Sequence, residues 1–162
     1  MNKEEIYDYI KSKNIWYEIT EHDAVYNMKE LENIELPYQQ CDGKNLFVRD
    51  DKKKNYYLII IKGDKKINLK DFKNNYKTRS LSFASSEDLM DIMNLYPGSV
   101  TPLGLLNDKN NKVIFYLDSD FFEDEHIIGI HPNDNTATLW LKVEDLVSII
   151  KESNHQVIIF NL

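Results

Sequence analysis

The sequence predicts an α+β fold built on a mixed, mostly antiparallel sheet. Three observations lead there. Short β-branched and aromatic runs recur (YYLIII, VIFYLD, VIIF); segments with helical spacing and N-cap residues lie between them; and the two kinds do not alternate in the strict βαβ rhythm of a doubly wound sheet.

The first helix is expected over Lys3–Lys13, with Asn2 as N-cap, Glu4 and Glu5 in the first turn, and Ile6 and Ile10 one turn apart. A strand is expected near Ile15–Ile19, then a short helix over Asn27–Ile34 that Pro37 brings to an end. Asn45–Arg49 and Tyr56–Lys62 predict two strands, and the polar DDKKKN between them predicts a hairpin. Leu69 and Phe72 return to helical spacing, and Arg79–Ala84 alternates Leu81 and Phe83 against Ser80 and Ser82 as a half-buried strand. Ser85 with Asp88 three residues on predicts a capped helix whose stripe is Leu89, Met93 and Tyr96, stopped by Pro97 and Gly98. Lys112–Leu117, Thr136–Leu141 and Gln156–Phe160 predict three more strands. The segment KVEDLVSIIKES is expected to be a helix facing the core with Val143, Leu146, Val147 and Ile150.

With 162 residues, the length suits one domain spanning 1–162 with a core that needs no staple. The N-terminus lacks a secretory pattern, the longest apolar run (Leu58–Ile61) is too short for a bilayer, and Cys41 stands alone, so a cytoplasmic protein without disulfides is expected. The net charge of −7 is unevenly spread: residues 1–42 carry −6, residues 43–79 carry +8 and residues 80–162 carry −9. A basic island in an acidic chain is either a solvated lysine face or a footprint for a polyanion.

The chain contains no P-loop, GxGxxG, HExxH, GxSxG or paired CxxC, and no acid or cysteine group at metal-ligand spacing. No metal and no cofactor is expected. Four local features remain. In PGSVTPLGLLND, Gly98 can adopt backbone angles closed to other residues and Pro102 stiffens the exit. The amides of Ser99, Val100 and Thr101 could then converge on an oxyanion. Lys44 stands at the entrance of NLFV, and Arg79 at the entrance of LSFAS. His131, in GIHPNDNTATLWL, can serve as a base, a hydrogen-bonding group or a packed loop residue; His22, His126 and His155 have no comparable company in the sequence.

Together KNLFVRD (44 to 50), YYLIII (56 to 61), RSLSFAS (79 to 85), GSVTPLGLLND (98 to 108), VIFYLD (113 to 118) and HPNDNTAT (131 to 138) resemble, in this order, the aminoacyl-tRNA editing domain family. This is the family of YbaK and of the prolyl-tRNA synthetase insertion domain; within it the chain is most similar to the free-standing PrdX/ProX type. The resemblance implies a partial barrel flanked by helices. It implies a trans-acting deacylase that hydrolyses mischarged tRNA(Pro), foremost Ala-tRNA(Pro), with prolyl-tRNA synthetase as a further partner. It carries catalytic roles onto Lys44, the loop Gly98, Ser99, Val100, Thr101 and Pro102, and His131. Substrate contacts fall to Asn45, Arg79, Ile130 and Asn133. The residue before HP is Ile130, where the family pattern often has Phe. The resemblance also gives the basic island a use: Lys52, Lys53, Lys54, Lys62, Lys65 and Lys66 are expected to meet tRNA phosphates. Two alternatives stand beside this reading: a deacylase for Cys-tRNA(Pro) or another small amino acid, and a non-catalytic tRNA- or synthetase-binding module.

Overall fold

A computed structural model describes residues 1–24, 34–38 and 40–162. The helix expected over Asn27–Ile34 lies outside them, except for Ile34. The remaining elements are helix α1 (Lys3–Ser12), strands β1 (Tyr17–Glu21), β2 (Gly43–Asp50) and β3 (Tyr56–Lys62), helix α2 (Leu69–Tyr76), strand β4 (Leu81–Phe83), helix α3 (Ser86–Met93), a 3-10 turn (Pro102–Asn107), strand β5 (Val113–Asp118), a second 3-10 turn (Ser119–Phe122), strands β6 (Ile127–Ile130) and β7 (Ala137–Lys142), helix α4 (Val143–Glu152) and strand β8 (Val157–Phe160).

Local chemistry explains most boundaries. Asn2 caps α1 in a reciprocal capping box with Glu5, and the Ser85 hydroxyl accepts from the Asp88 amide at the start of α3. The β2–β3 hairpin turns on Asp50, whose buried carboxylate accepts from the Lys52 and Lys54 amides (3.1 and 2.9 Å) and from Asn55 Nδ2 (2.8 Å). Burial pushes that carboxyl up, but these donors outweigh it and hold it below the usual carboxylate range.

Two sheets result. One is antiparallel in the order β1-β7-β6; the other is mixed in the order β4-β2-β3-β5-β8, antiparallel across β4-β2-β3 and parallel across β3-β5-β8. A hydrogen bond from the Gly129 amide to the Cys41 carbonyl (2.9 Å) ties the first sheet to the entrance of β2. The larger core cluster joins Ile6 and Ile10 of α1, Leu89 and Met93 of α3, Leu146 and Ile150 of α4, and inward residues of both sheets; a smaller one lies under α2 around Phe72, Tyr116 and Phe160.

Three expectations need correction. The first strand begins at Tyr17, two residues later than predicted, because Asn14 takes a left-handed turn (φ 55°) after α1 and the pairing of Tyr17 with Leu141 sets the start. Strand β6 was not predicted: its four residues are all buried, so it shows no alternation. Phe83 is 65% and Tyr96 72% exposed, so neither joins the core stripe expected of it.

Gly129 lies directly opposite Trp140, and a Cβ there would meet the indole at 2.4 Å. Gly129→Ala is therefore expected to lower stability by about 1–3 kcal/mol through overpacking, read from the urea midpoint at unchanged m-value.

Candidate functional site

Two loops meet at one end of the three-stranded sheet. The first follows α3, where Gly98 adopts φ 92° and Ser99 folds back on Tyr96. The Ser99 amide and hydroxyl both donate to the Tyr96 carbonyl (3.0 and 2.8 Å), and the hydroxyl accepts from the Tyr96 amide (3.1 Å). The Ser99 amide is thus spent on the turn and cannot serve as an oxyanion donor. The Val100 and Thr101 amides have no acceptor among the described residues.

The second loop joins β6 to β7 and carries His131. Thr101, fully buried, donates its hydroxyl to the His131 carbonyl (2.6 Å) and so locks the two loops together. The His131 ring donates from Nδ1 to the Ala137 carbonyl (3.1 Å), which selects the tautomer with an unprotonated Nε2. Burial lowers the pKa of this imidazole below the ordinary histidine value; the Ala137 carbonyl opposes the shift and nearby His22 adds to it. His131 is consequently a neutral acceptor at pH 7.

His22 is the residue that sequence reasoning missed. It leaves the end of β1, meets the His131 ring edge-on with centroids 6.4 Å apart, donates from Nδ1 to the Asp23 carbonyl and accepts at Nε2 from Thr138 Oγ1 (2.9 Å). Only the register of β1 on β7 reveals this proximity, since the two histidines are 109 positions apart in sequence. The other two histidines also gain company in the fold: His126 pairs with Glu144, and His155 is buried between Asp108 and Ser153.

The remaining expected residues divide. Asn45 shares the pleat face of Phe47, which packs in the larger core cluster with Ile130 and Leu103; Lys44, opposite Ile61, leaves β2 on the other face. Asn45 Oδ1 and Asn133 Oδ1 are buried without a donor among the described residues, while Asn133 Nδ2 donates to the Met1 carbonyl (2.9 Å). Lys44 is half-buried, and its ammonium makes no ion pair or hydrogen bond among the described residues. Ile130 is 3% exposed and packs in the larger core cluster directly before His131. Arg79 is not part of this constellation: its guanidinium chelates Asp51 (2.6 and 3.0 Å) beside the β2–β3 turn. At about 3.3 Å per residue that turn is roughly 20 Å from Lys44.

The same geometry splits the basic island. Lys52, Lys53 and Lys54 lie at the turn, whereas Lys62, Lys65 and Lys66 lie at the Lys44 end of the hairpin. Lys65 pairs with buried Asp118 (2.6 Å) and with Asp120. The two groups are separated by more than twice the ~8 Å screening length at physiological salt and act independently. No group of three His, Cys, Asp or Glu side chains among the described residues could hold a metal ion. No described helix is long and apolar enough to cross a membrane.

The profile of the aminoacyl-tRNA editing domain matches residues 22–149, which includes both loops and all of β2. The chain belongs to this family. It is 37% identical over 139 residues to the prolyl-tRNA editing protein ProX of Acetoanaerobium sticklandii, covering 86% of this chain and 84% of that one. It is 36% identical over 151 residues to the prolyl-tRNA synthetase associated domain-containing protein 1 of Mus musculus, covering 89% and 86%. The fold is shared with a crystal structure described as a candidate trans-editing enzyme for prolyl tRNA synthetase, at a TM-score of 0.69 and 16% identity, over 99% of this chain and 96% of that one.

Two outcomes follow from the loop geometry. Thr101→Val removes the link between the loops and leaves the His131 carbonyl unpaired, so a loss of about 1–3 kcal/mol is expected in urea unfolding. Because the folded pKa of His131 lies below the unfolded value of ~6.5, the unfolded chain takes up this proton first on acidification. The contribution of His131 is present above about pH 6.5 and lost as pH falls towards the folded value. The ring resonances should titrate with a midpoint below 6.5 by NMR, and His131→Gln should remove this component of the acid instability.

Proposed function

We propose that residues 1–162 act as one free-standing hydrolase that cleaves the ester of mischarged tRNA(Pro), foremost Ala-tRNA(Pro), in the cytoplasm. The observation that carries the reading is a neutral, oriented His131 locked to a loop with two unpaired amides, in a family whose relatives are named for prolyl-tRNA editing. An aminoacyl ester is already activated, so the site needs to orient water and stabilise the oxyanion and can dispense with a covalent nucleophile.

In this mechanism water attacks the ester carbonyl, the Val100 and Thr101 amides hold the developing oxyanion, and His131 Nε2 accepts a hydrogen bond from the attacking water or from the neighbouring ribose hydroxyl. The bond to the ribose oxygen breaks, releasing the amino acid and a free tRNA end. Gly98, Ser99 and Pro102 shape the loop, and Asn45 and Asn133 offer acceptors to the amino acid or ribose. Lys44, on the opposite pleat face from Asn45, is assigned to the phosphate of the terminal nucleotide. Lys62 and Lys66 extend that cationic end along the acceptor strand. Lys52, Lys53 and Lys54 meet tRNA farther from the ester. The tRNA acceptor end is the main partner, and prolyl-tRNA synthetase a second one, in keeping with the names of the relatives. Alanine is smaller than proline, so a pocket that overpacks the larger ring discriminates by size, the second sieve after charging.

A deacylation panel on Ala-, Cys-, Ser- and Pro-charged tRNA(Pro) tests the assignment. Ala-tRNA(Pro) is expected to be cleaved fastest, and Lys44→Ala to lower kcat/KM on the order of 10- to 100-fold at unchanged melting temperature. Fastest cleavage of the Cys ester would shift the substrate; no cleavage of any ester would leave a binding module. Rising salt is expected to depress kcat/KM, and Lys62→Glu with Lys66→Glu to flatten that dependence.

A further inference from the structure

A cleft of about 530 Å³ opens beside the first loop, lined by the start of α1, by Asn94, Tyr96, Pro97 and Ser99, and by Asn133, Asp134 and Asn135. Its volume suits a small organic ligand. Its charged side chains are already engaged: Lys3 with Glu21 (2.6 Å) and Thr136, Asp134 with the Thr136 amide (2.8 Å), and Glu5 with the Asn2 amide (3.3 Å). The remaining lining cation, the Met1 ammonium, donates to Asn107 Oδ1 (2.6 Å), so every lining cation already has a partner. What the cleft offers is an aromatic face and amide edges. The Tyr96 ring is 72% exposed although its backbone is clamped by three hydrogen bonds to Ser99. The Asn94 side chain has no partner among the described residues, whereas the Asn133 side chain is turned inward, with Nδ2 on the Met1 carbonyl and Oδ1 buried. An exposed aromatic ring beside amide groups is how proteins stack and read an unpaired base. Ser99 and Asn133 belong both to this cleft and to the candidate site, so the two are contiguous.

We propose that this cleft seats a nucleobase, that of the nucleotide preceding the terminal adenosine of the bound tRNA. The base stacks on Tyr96 and turns its polar edge to Asn94. In this assignment Ser99 is a positioning residue, which holds the tyrosine ring in place and takes no part in binding the oxyanion. The inference rests on the reading of the chain as an aminoacyl-tRNA hydrolase. Its test therefore separates binding from chemistry.

Affinity for the unacylated trinucleotide CCA is to be measured by calorimetry for wild type, Tyr96→Phe and Tyr96→Ala, alongside KM and kcat for deacylation. Tyr96→Ala is expected to weaken trinucleotide binding on the order of 10-fold and to raise KM rather than lower kcat, with Tyr96→Phe near wild type. Equal trinucleotide affinity in all three proteins, or no binding by wild type, overturns the proposal even if the esters are hydrolysed. Binding of cytidine monophosphate as tight as that of the trinucleotide reassigns the cleft to free nucleotides and also overturns it. Tyr96-dependent trinucleotide binding without hydrolysis of any ester upholds the cleft and removes the hydrolytic reading.

Discussion

Strand β7 is buried at every residue from Ala137 to Leu141, and most of the architecture answers that constraint. A strand buried throughout must be paired on both edges and covered on both faces. β1 and β6 supply the edges. Leu139 and Leu141 enter the larger core cluster, whereas on the other face Trp140 meets Tyr38 and donates from its indole to Thr20 Oγ1 (3.0 Å). Thr138 on that same face engages His22. Gly129 is required where the indole crosses β6. The loop with His131 joins β6 to β7, so its position is inherited from this packed unit.

The site follows from the joining of that loop to the one after α3. Each is locally determined: Gly98 and Ser99 build one turn around Tyr96, and the Asp134 carboxylate accepts from the Thr136 amide and hydroxyl in the other. The fully buried Thr101 hydroxyl then fixes one against the other through the His131 carbonyl. Neutral His131 and the unpaired Val100 and Thr101 amides are thus presented by a rigid scaffold, which suits a reaction whose catalysis consists mainly of orientation and electrostatic stabilisation. The lysines are arranged differently. The hairpin carries them to two ends, so a run that is continuous in sequence becomes two separate fields in space.

The legible parts of the fold were those with a local cause. Asn2, Ser85 and the DDKKKN turn announce themselves by capping and turn chemistry, and the starts they mark were read correctly; the end of α3 was not, because a left-handed Asn94 (φ 54°) closes the helix at Met93, ahead of Pro97 and Gly98. The loop 98–102 and His131 were legible through resemblance to a family pattern, whereas His22 was not, because a histidine at a strand end has no local signature. The partners of Arg79 and Lys65 were hidden for the same reason. An isolated cation in a sequence does not reveal the carboxylate, here Asp51 or Asp118, that will neutralise it.

The sequence by itself determined the mixed α+β class, most helix and strand positions, the charge segregation and the family, since each depends on residue type, spacing or order along the chain. Tertiary structure alone decided that β6 exists between β7 and the entrance of β2, that Lys44 and Asn45 leave on opposite faces, that Ser99 serves Tyr96, and that two histidines 109 positions apart in sequence share one wall. Those outcomes turn on strand register and on which buried group finds which partner. Neither is encoded within any window of neighbouring residues.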